Sequence, residues 1–244
     1  MRVKMLGCGD AYDPVKINSS LLITEDDFTL LIDCGPTVPQ ALFAHGMKPD
    51  DISTIYISHC HPDHCLGLTT LLNFMKSRKR EKPLVIIRQA AQHKALFQLM
   101  EFAYWPEKDL GYELHWQDAE ELTQIGPWKA VTTPSTHSVS NRSLFITSDR
   151  SQIFYSGDGL LSAEGEQFAA QADLAFLECE YMVAANGHGS WADIKPLERK
   201  AGSRWVLYHI DAASRTAVAE AIMPYPDFSL GEDGRAFDLT LTEV

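Results

Sequence analysis

No apolar run in the 244-residue chain approaches the roughly 18 to 20 residues that a membrane-spanning helix requires, so no helical span is expected. Cysteine is too sparse for a disulfide-stapled secreted domain, and the five present (Cys8, Cys34, Cys60, Cys65, Cys179) are odd in number, which favours reduced thiols. The start, Met1-Arg2-Val3-Lys4-Met5-Leu6, meets Gly7 and Asp10 before the apolar stretch of a signal peptide develops, and a cytoplasmic address is the expectation. Positive charge is also short. With 21 Lys and Arg against 33 Asp and Glu, the formal net charge of -12 repels a phosphate backbone and argues against extended nucleic-acid binding. The one basic concentration, Lys76, Arg78, Lys79, Arg80 and Lys82, reads as the solvated end of a surface helix.

What is present is an ordinary globular balance, 45% hydrophobic and 22% charged, without linker or repeat, and residues 1–244 are expected to form one domain. Two β-rich runs, residues 20–24 and 28–32, flank Glu25-Asp26-Asp27 as a hairpin. Helices are expected at 38–45, 66–75 and 89–104, with strands at 52–57, 84–87 and 112–116 among them. The second half offers strands at 128–133, 143–147, 153–155, 174–177, 205–208 and 237–241, and helices at 161–170, 191–201 and 212–222. Hairpins followed by alternating strands and helices in both halves suggest two facing sheets with helices outside.

The most informative segment is Ser58-His59-Cys60-His61-Pro62-Asp63-His64, which sets three imidazoles and a carboxylate directly after a strand. Imidazole nitrogen and carboxylate oxygen suit zinc, manganese or iron, and a loop lets closely spaced ligands diverge toward two ions. Two adjacent ions can clamp both the attacking and the leaving oxygen of a hydrolysis. Cys60 and Cys65 do not form the paired spacing of a structural zinc site and are assigned to packing.

With the following Leu66-Gly67, this segment resembles the His-x-His-x-Asp-His signature of the metallo-β-lactamase superfamily. The ordered remainder of that pattern is similar too: Asp33 after Leu30-Leu31-Ile32, His137 after Ala130 to Thr133, Asp158 in Ser156-Gly157-Asp158-Gly159, and His209 after Val206-Leu207-Tyr208. The resemblance implies an α/β fold, the four-layer αβ/βα sandwich of the metallo-β-lactamase type. It further implies His59, His61 and His137 on one metal, Asp63, His64 and His209 on the other, and Asp158 between them. Two divalent ions, zinc in the first instance, would then generate hydroxide by lowering the pKa of bound water from about 15.7 to about 7.

Glu178-Cys179-Glu180-Tyr181 and Gly187-His188-Gly189-Ser190 are similar to segments of the ribonuclease Z and phosphodiesterase-like branch. That likeness nominates His188, steadied by Glu180, as catalytic residues beside Asp63, with a turn leading into a helix as the alternative for Gly187 to Trp191. One short strand pair between His137 and Asp158 leaves no room for a tRNA-grasping arm. A small phosphodiester, cyclic or nucleotide-derived, is therefore the expected substrate, and tRNA is not. Hydrolysis of a carboxyl ester, thioester or lactone is the second reading, and a non-catalytic metal-binding sensor the third. Phe102-Ala103-Tyr104-Trp105-Pro106, with Tyr112 and Trp116, is expected in the core, a pocket wall or oligomer contact being the alternatives. A homodimer is a base-rate expectation.

Overall fold

A computed structural model describes residues 1–239. The chain opens with strands β1 (Arg2–Gly7), β2 (Ser20–Glu25) and β3 (Phe28–Ile32), then alternates through α1 (Val38–Ala44), β4 (Thr54–Tyr56), α2 (Pro62–Cys65), α3 (Gly67–Ser77), β5 (Leu84–Arg88), α4 (His93–Tyr104) and β6 (Leu114–Asp118). The second half repeats the plan. Antiparallel β7 (Gln124–Ile125), β8 (Trp128–Thr136), β9 (Asn141–Thr147) and β10 (Gln152–Tyr155) come first. There follow β11 (Leu160–Leu161), α5 (Ala163–Gln171), β12 (Leu174–Glu178), α6 (Trp191–Ile194), β13 (Arg204–Tyr208), α7 (Arg215–Ile222), β14 (Phe228–Leu230) and β15 (Ala236–Asp238).

The first sheet has the order β15-β1-β2-β3-β4-β5-β6, antiparallel up to β3 and parallel beyond it. The second runs β11-β8-β9-β10-β12-β13-β14, antiparallel up to β10 and parallel beyond, with β7 beside β8. Strand alternation sorts the side chains into layers, because successive residues point to opposite faces. On β3, Leu30 and Ile32 enter the cluster between the sheets while Leu31 joins the outer one under α1 and α3. On β13, Val206 and Tyr208 point inward, and Trp205 and Leu207 pack outward with Val218 and Ile222 of α7. Helix, sheet, sheet, helix is the resulting stack, the expected four-layer αβ/βα sandwich. Trp128 closes the inner core with no exposed surface, its Nε1 donating to Glu25 Oε2 at 2.5 Å; truncating such a residue to Ala costs about 3–5 kcal/mol.

Four expectations are corrected. The helix read over 191–201 ends at Ile194 with Lys195 as its still-helical cap, because Pro196 supplies no amide hydrogen and its ring crowds the preceding turn. The basic concentration is not one solvated face. Arg80 is 3% exposed, with its guanidinium donating to the carbonyls of Pro49, Ile52, Lys82 and Pro83 at 2.6–2.8 Å. Phe102 and Trp105 are 72% and 74% exposed rather than core, although Ala103 between them is buried. The last expected strand occupies Ala236–Asp238, and residues 240 and 241 of that reading lie outside the described residues. Among the described residues, no helix is long and apolar enough to cross a membrane.

Candidate active site

Parallel strands of the two sheets deliver the candidate residues at their carboxyl ends, where open α/β sheets place their ligands. Asp33 follows β3, His59 follows β4, Asp158 follows β10, Glu178 ends β12 and His209 follows β13. The backbone at these points is unusual. Asp33 and His209 adopt φ of 57° and 52°, a region uncommon for residues with a Cβ, and each is held by its own amide: Asp33 N–H to Tyr56 O at 2.8 Å, His209 N–H to Cys8 O at 3.0 Å. Asp158 stands between Gly157 and Gly159, both at positive φ, and a Cβ on Gly157 would lie 2.2 Å from Asn141 Oδ1. Glycine is therefore required there.

Within the His59 segment, Pro62 starts the four-residue turn α2, its fixed φ suiting the first helical position. His61 is left at the cap while Asp63 and His64 enter the turn, so the candidate donors diverge. Gly35 and Gly67 let this turn press on the end of β3, since a Cβ on either would meet backbone oxygen at 1.9 and 2.1 Å.

Two sets of donor atoms converge. His59 Nε2 and His137 Nε2 each lie 3.0 Å from His61 Nδ1. Asp63 Oδ2 lies 3.1 Å from His64 Nε2 and 3.2 Å from His209 Nε2. Asp158 Oδ2 faces both sets, at 3.7 and 3.9 Å from the His59 and His137 nitrogens and at 3.3 and 3.5 Å from those of His64 and His209. Ligands held about 2.0–2.1 Å from one ion stand roughly 3 Å apart, which is the spacing within each set.

The outer contacts turn the lone pairs inward. His64 Nδ1–H donates to Asp33 Oδ2 at 2.9 Å and His137 Nδ1–H to Gly187 O at 2.6 Å, which leaves Nε2 of each ring to face the cluster. Asp33 also accepts from Ser58 N–H, Ser58 Oγ–H and Tyr155 O–H, each at 2.8 Å, and Ser58 Oγ lies 3.1 Å from His59 Nδ1. His64 Nε2 and Asp158 Oδ1 are buried without a hydrogen-bond partner. Such orphaned atoms among converging lone pairs fit cations, and this donor set fits divalent metal.

The electrostatics divide the rings: burial opposes charge on His64, but Asp158, Asp33 and Asp63 outweigh it and hold that ring well above the usual imidazole range, so in the metal-free cluster it favours the protonated form. Burial keeps the His59 and His61 rings below the usual imidazole range, assisted by neighbouring imidazoles, so both favour the neutral, ligating form. Burial would raise the Asp63 carboxyl, but His64 and His209 outweigh it and hold it well below the usual carboxylate range. Asp158 is likewise held down, against its burial, by His209 and His64.

Beside the cluster, His188 Nδ1 lies 2.6 Å from Glu178 Oε1 and 2.5 Å from Glu180 Oε2. The expected His188 and Glu180 pair thus forms, and Glu178 is a third member that sequence reasoning passed over. Glu178 is 2% exposed and also accepts from Gly159 N–H at 2.6 Å and Gly189 N–H at 2.8 Å, tying His188 to the loop that carries Asp158. The hydrogen bonds to Glu178 and Glu180 push the His188 imidazole up to about 10. The turn reading of Gly187 to Trp191 also holds, because Ser190 caps α6 through Oγ. His61, Asp63, Asp158, Glu180, His188 and His209 share one cavity of about 310 Å³. Larger cavities lie elsewhere on the molecule but hold none of this chemistry.

Residues 1–222 match the family described as Anti-Pycsar protein Apyc1. The chain belongs to that family. An Apyc1 protein of Paenibacillus sp. (strain J14) is 39% identical over 89 residues, 36% of each chain. A ribonuclease Z of Methanothermobacter thermautotrophicus is 27% identical over 142 residues, 58% of this chain and 46% of that one. These alignments span from about a third to under half of the curated relatives' length. The metallo-β-lactamase fold protein YhfI of Bacillus subtilis superposes with a TM-score of 0.82 at 21% identity, covering 97% of this chain and 98% of its own. The superfamily, the fold and the ribonuclease Z-like branch expected from the motifs are thereby borne out, and β9 and β10 alone separate His137 from Asp158 where a tRNA-binding arm would stand.

Proposed function

We propose that this Apyc1-family chain is a metal-dependent phosphodiesterase that hydrolyses a small, nucleotide-derived phosphodiester at a site holding two divalent ions, zinc in the first instance. The observation that carries the reading is two donor sets that meet at Asp158 and reach one cavity through His61, Asp63 and His209, with an imidazole clasped by two carboxylates beside them. His59, His61 and His137 would hold one ion, Asp63, His64 and His209 the second, and Asp158 both. Bound there, the ions supply Lewis acidity at the phosphoryl oxygens and a nucleophilic water at neutral pH.

The protein's own groups divide the proton work. Asp63 keeps its Oδ2 among the ligands, leaving Oδ1 to accept a proton from the attacking water. His188, with Nδ1 engaged by Glu178 and Glu180, turns Nε2–H to the cavity and donates that proton to the leaving oxygen. Glu178 and Glu180 keep this ring protonated and fixed in orientation. Family membership supports the reading, as do the relatives named ribonuclease Z.

The test is elemental analysis of purified protein followed by assay of the same preparation against bis(p-nitrophenyl) phosphate, a thioester and a lactone. About two ions per chain with diester turnover is the expected result. Turnover of the acyl substrates alone would replace this reading with an ester hydrolase, and two ions without any turnover would indicate a metal-binding sensor.

A further inference from the structure

The loop between β1 and β2 carries a tyrosine that the core does not use. Tyr12 is 94% exposed, yet it lines the same cavity as His61, Asp63, Asp158 and His209. The loop beneath it is fastened. Gly9 N–H donates to Ile17 O at 2.8 Å, and Tyr12 N–H to Asp10 Oδ1 at 2.8 Å. Asp13 Oδ1 accepts from Val15 and Lys16 N–H at 2.9 and 2.8 Å, while its Oδ2 pairs with Arg215 at the start of α7. Gly9 permits this closure, since a Cβ there would lie 2.7 Å from Lys16 Cβ. An aromatic ring presented by a tied loop has two side-chain torsions to order on binding, so it engages a flat ligand at small entropic cost.

The rest of the cavity restricts what stacks on that ring. Among the described residues lining it there is no Lys or Arg, whereas Asp10, Glu180 and Asp211 are present. Beyond the ligand clusters, a second phosphate or a polyanionic chain meets carboxylates and is repelled. A neutral aromatic group is not, and its N–H edge suits them. Asp211 is positioned for this by accepting Ala213 N–H at 2.9 Å through Oδ1.

We propose that Tyr12 forms the platform of a nucleobase subsite: with the phosphodiester at the ligand cluster, the base stacks on the Tyr12 ring and turns its N–H edge toward Asp211. The proposal rests on the phosphodiesterase reading. Stacking of one base on an aromatic side chain changes affinity by about 5- to 150-fold on alanine substitution.

The experiment compares adenosine 5′-monophosphate with ribose 5-phosphate, which share the sugar phosphate and differ in the base, by calorimetry on zinc-loaded protein. Wild type should bind the nucleotide at least about tenfold more tightly, Tyr12→Ala should bind the two alike, and Tyr12→Phe should keep the preference. No preference in wild type, or a preference that survives Tyr12→Ala, would overturn the subsite. Turnover of bis(p-nitrophenyl) phosphate by the same preparations tests the reaction separately: a base preference without turnover retains the subsite and removes the phosphodiesterase reading.

Discussion

Replacing Asp33 by Asn removes one charge from a fully buried residue, and the consequence should appear at the metals. Asp33 has no exposed surface and accepts four hydrogen bonds: Ser58 N–H at Oδ1, and Ser58 Oγ–H, His64 Nδ1–H and Tyr155 O–H at Oδ2. Asn offers one oxygen where four donors converge. If that oxygen serves the three donors at the Oδ2 position, the new amide faces Ser58 N–H, and an unsatisfied buried donor costs about 1–3 kcal/mol. The hydrogen bond to His64 also loses its charged acceptor, which weakens both the basicity and the orientation of Nε2. Loss of such outer support lowers metal affinity by about 10- to 100-fold, or roughly 1.4–2.7 kcal/mol. The loss should be larger at the set containing His64 than at the set containing His59, which reaches Asp33 only through Ser58 Oγ. Zinc competition against a chromogenic chelator, resolved into two binding steps, measures both, and urea unfolding of metal-free protein separates the cost to the fold. Two steps within about twofold of wild type, or a loss confined to the His59 set, would refute the reasoning.

His188→Ala should lower kcat toward the diester by about 10²–10⁴-fold while leaving zinc stoichiometry unchanged, as kinetics and elemental analysis together will show; an unchanged kcat would remove His188 from the reaction. Metal uptake should release protons. Burial opposes charge on His209, but Asp158 and the hydrogen bond to Asp63 raise it to about 9, so below that pH the metal-free ring holds a proton that an ion must displace. Apparent zinc affinity should accordingly climb by about tenfold per pH unit per displaced proton up to about pH 9 and less steeply above it, where His64, also held well above the usual imidazole range, still has a proton to lose, whereas a flat profile from pH 6 to 9 would contradict this. Arg80→Met leaves four carbonyls without their donor, at about 1 kcal/mol each, and should lower Tm by roughly 10 °C in a thermal scan; a shift under about 3 °C would show that water replaces the guanidinium.

Much of this arrangement is legible because its signals are local. The hairpin about Asp26-Asp27, the apolar runs before His59 and His209, and the Pro62 turn each follow from a few neighbouring residues. Other features were missed for definite reasons. Strand β1 alternates Arg2, Val3, Lys4 and Met5 with a period of two, but two cations in a six-residue run dilute its apolar signal. Strand β14 is three residues long and shows no period. The motif likeness nominates Glu180 and not Glu178, although residues two apart at a strand end share a face and both carboxylates reach His188. That spacing was the available signal for Glu178. Arg80 reads as a surface cation in any window of its neighbours, and only the tertiary approach of residues 49–52 shows which carbonyls it satisfies.

The two halves of the chain repeat one plan, antiparallel strands followed by parallel strands crossed by helices, and neither half alone assembles the site. His59, His61, Asp63 and His64 come from the first, and His137, Asp158 and His209 from the second, so each of the two candidate donor sets spans both sheets. The connection between them is built into the buried core as well. Tyr155 of the second sheet reaches across to Asp33 of the first, and Tyr208 stacks on Tyr155 at 5.2 Å just before His209. Packing between the sheets therefore sets the separation of the ligand atoms, and whatever shifts one sheet against the other changes both sets together through Asp158. This is why the ordered motifs, scattered over 150 residues of sequence, carry their meaning only jointly: each loop supplies one or a few donors, and the sandwich brings them within reach of one another.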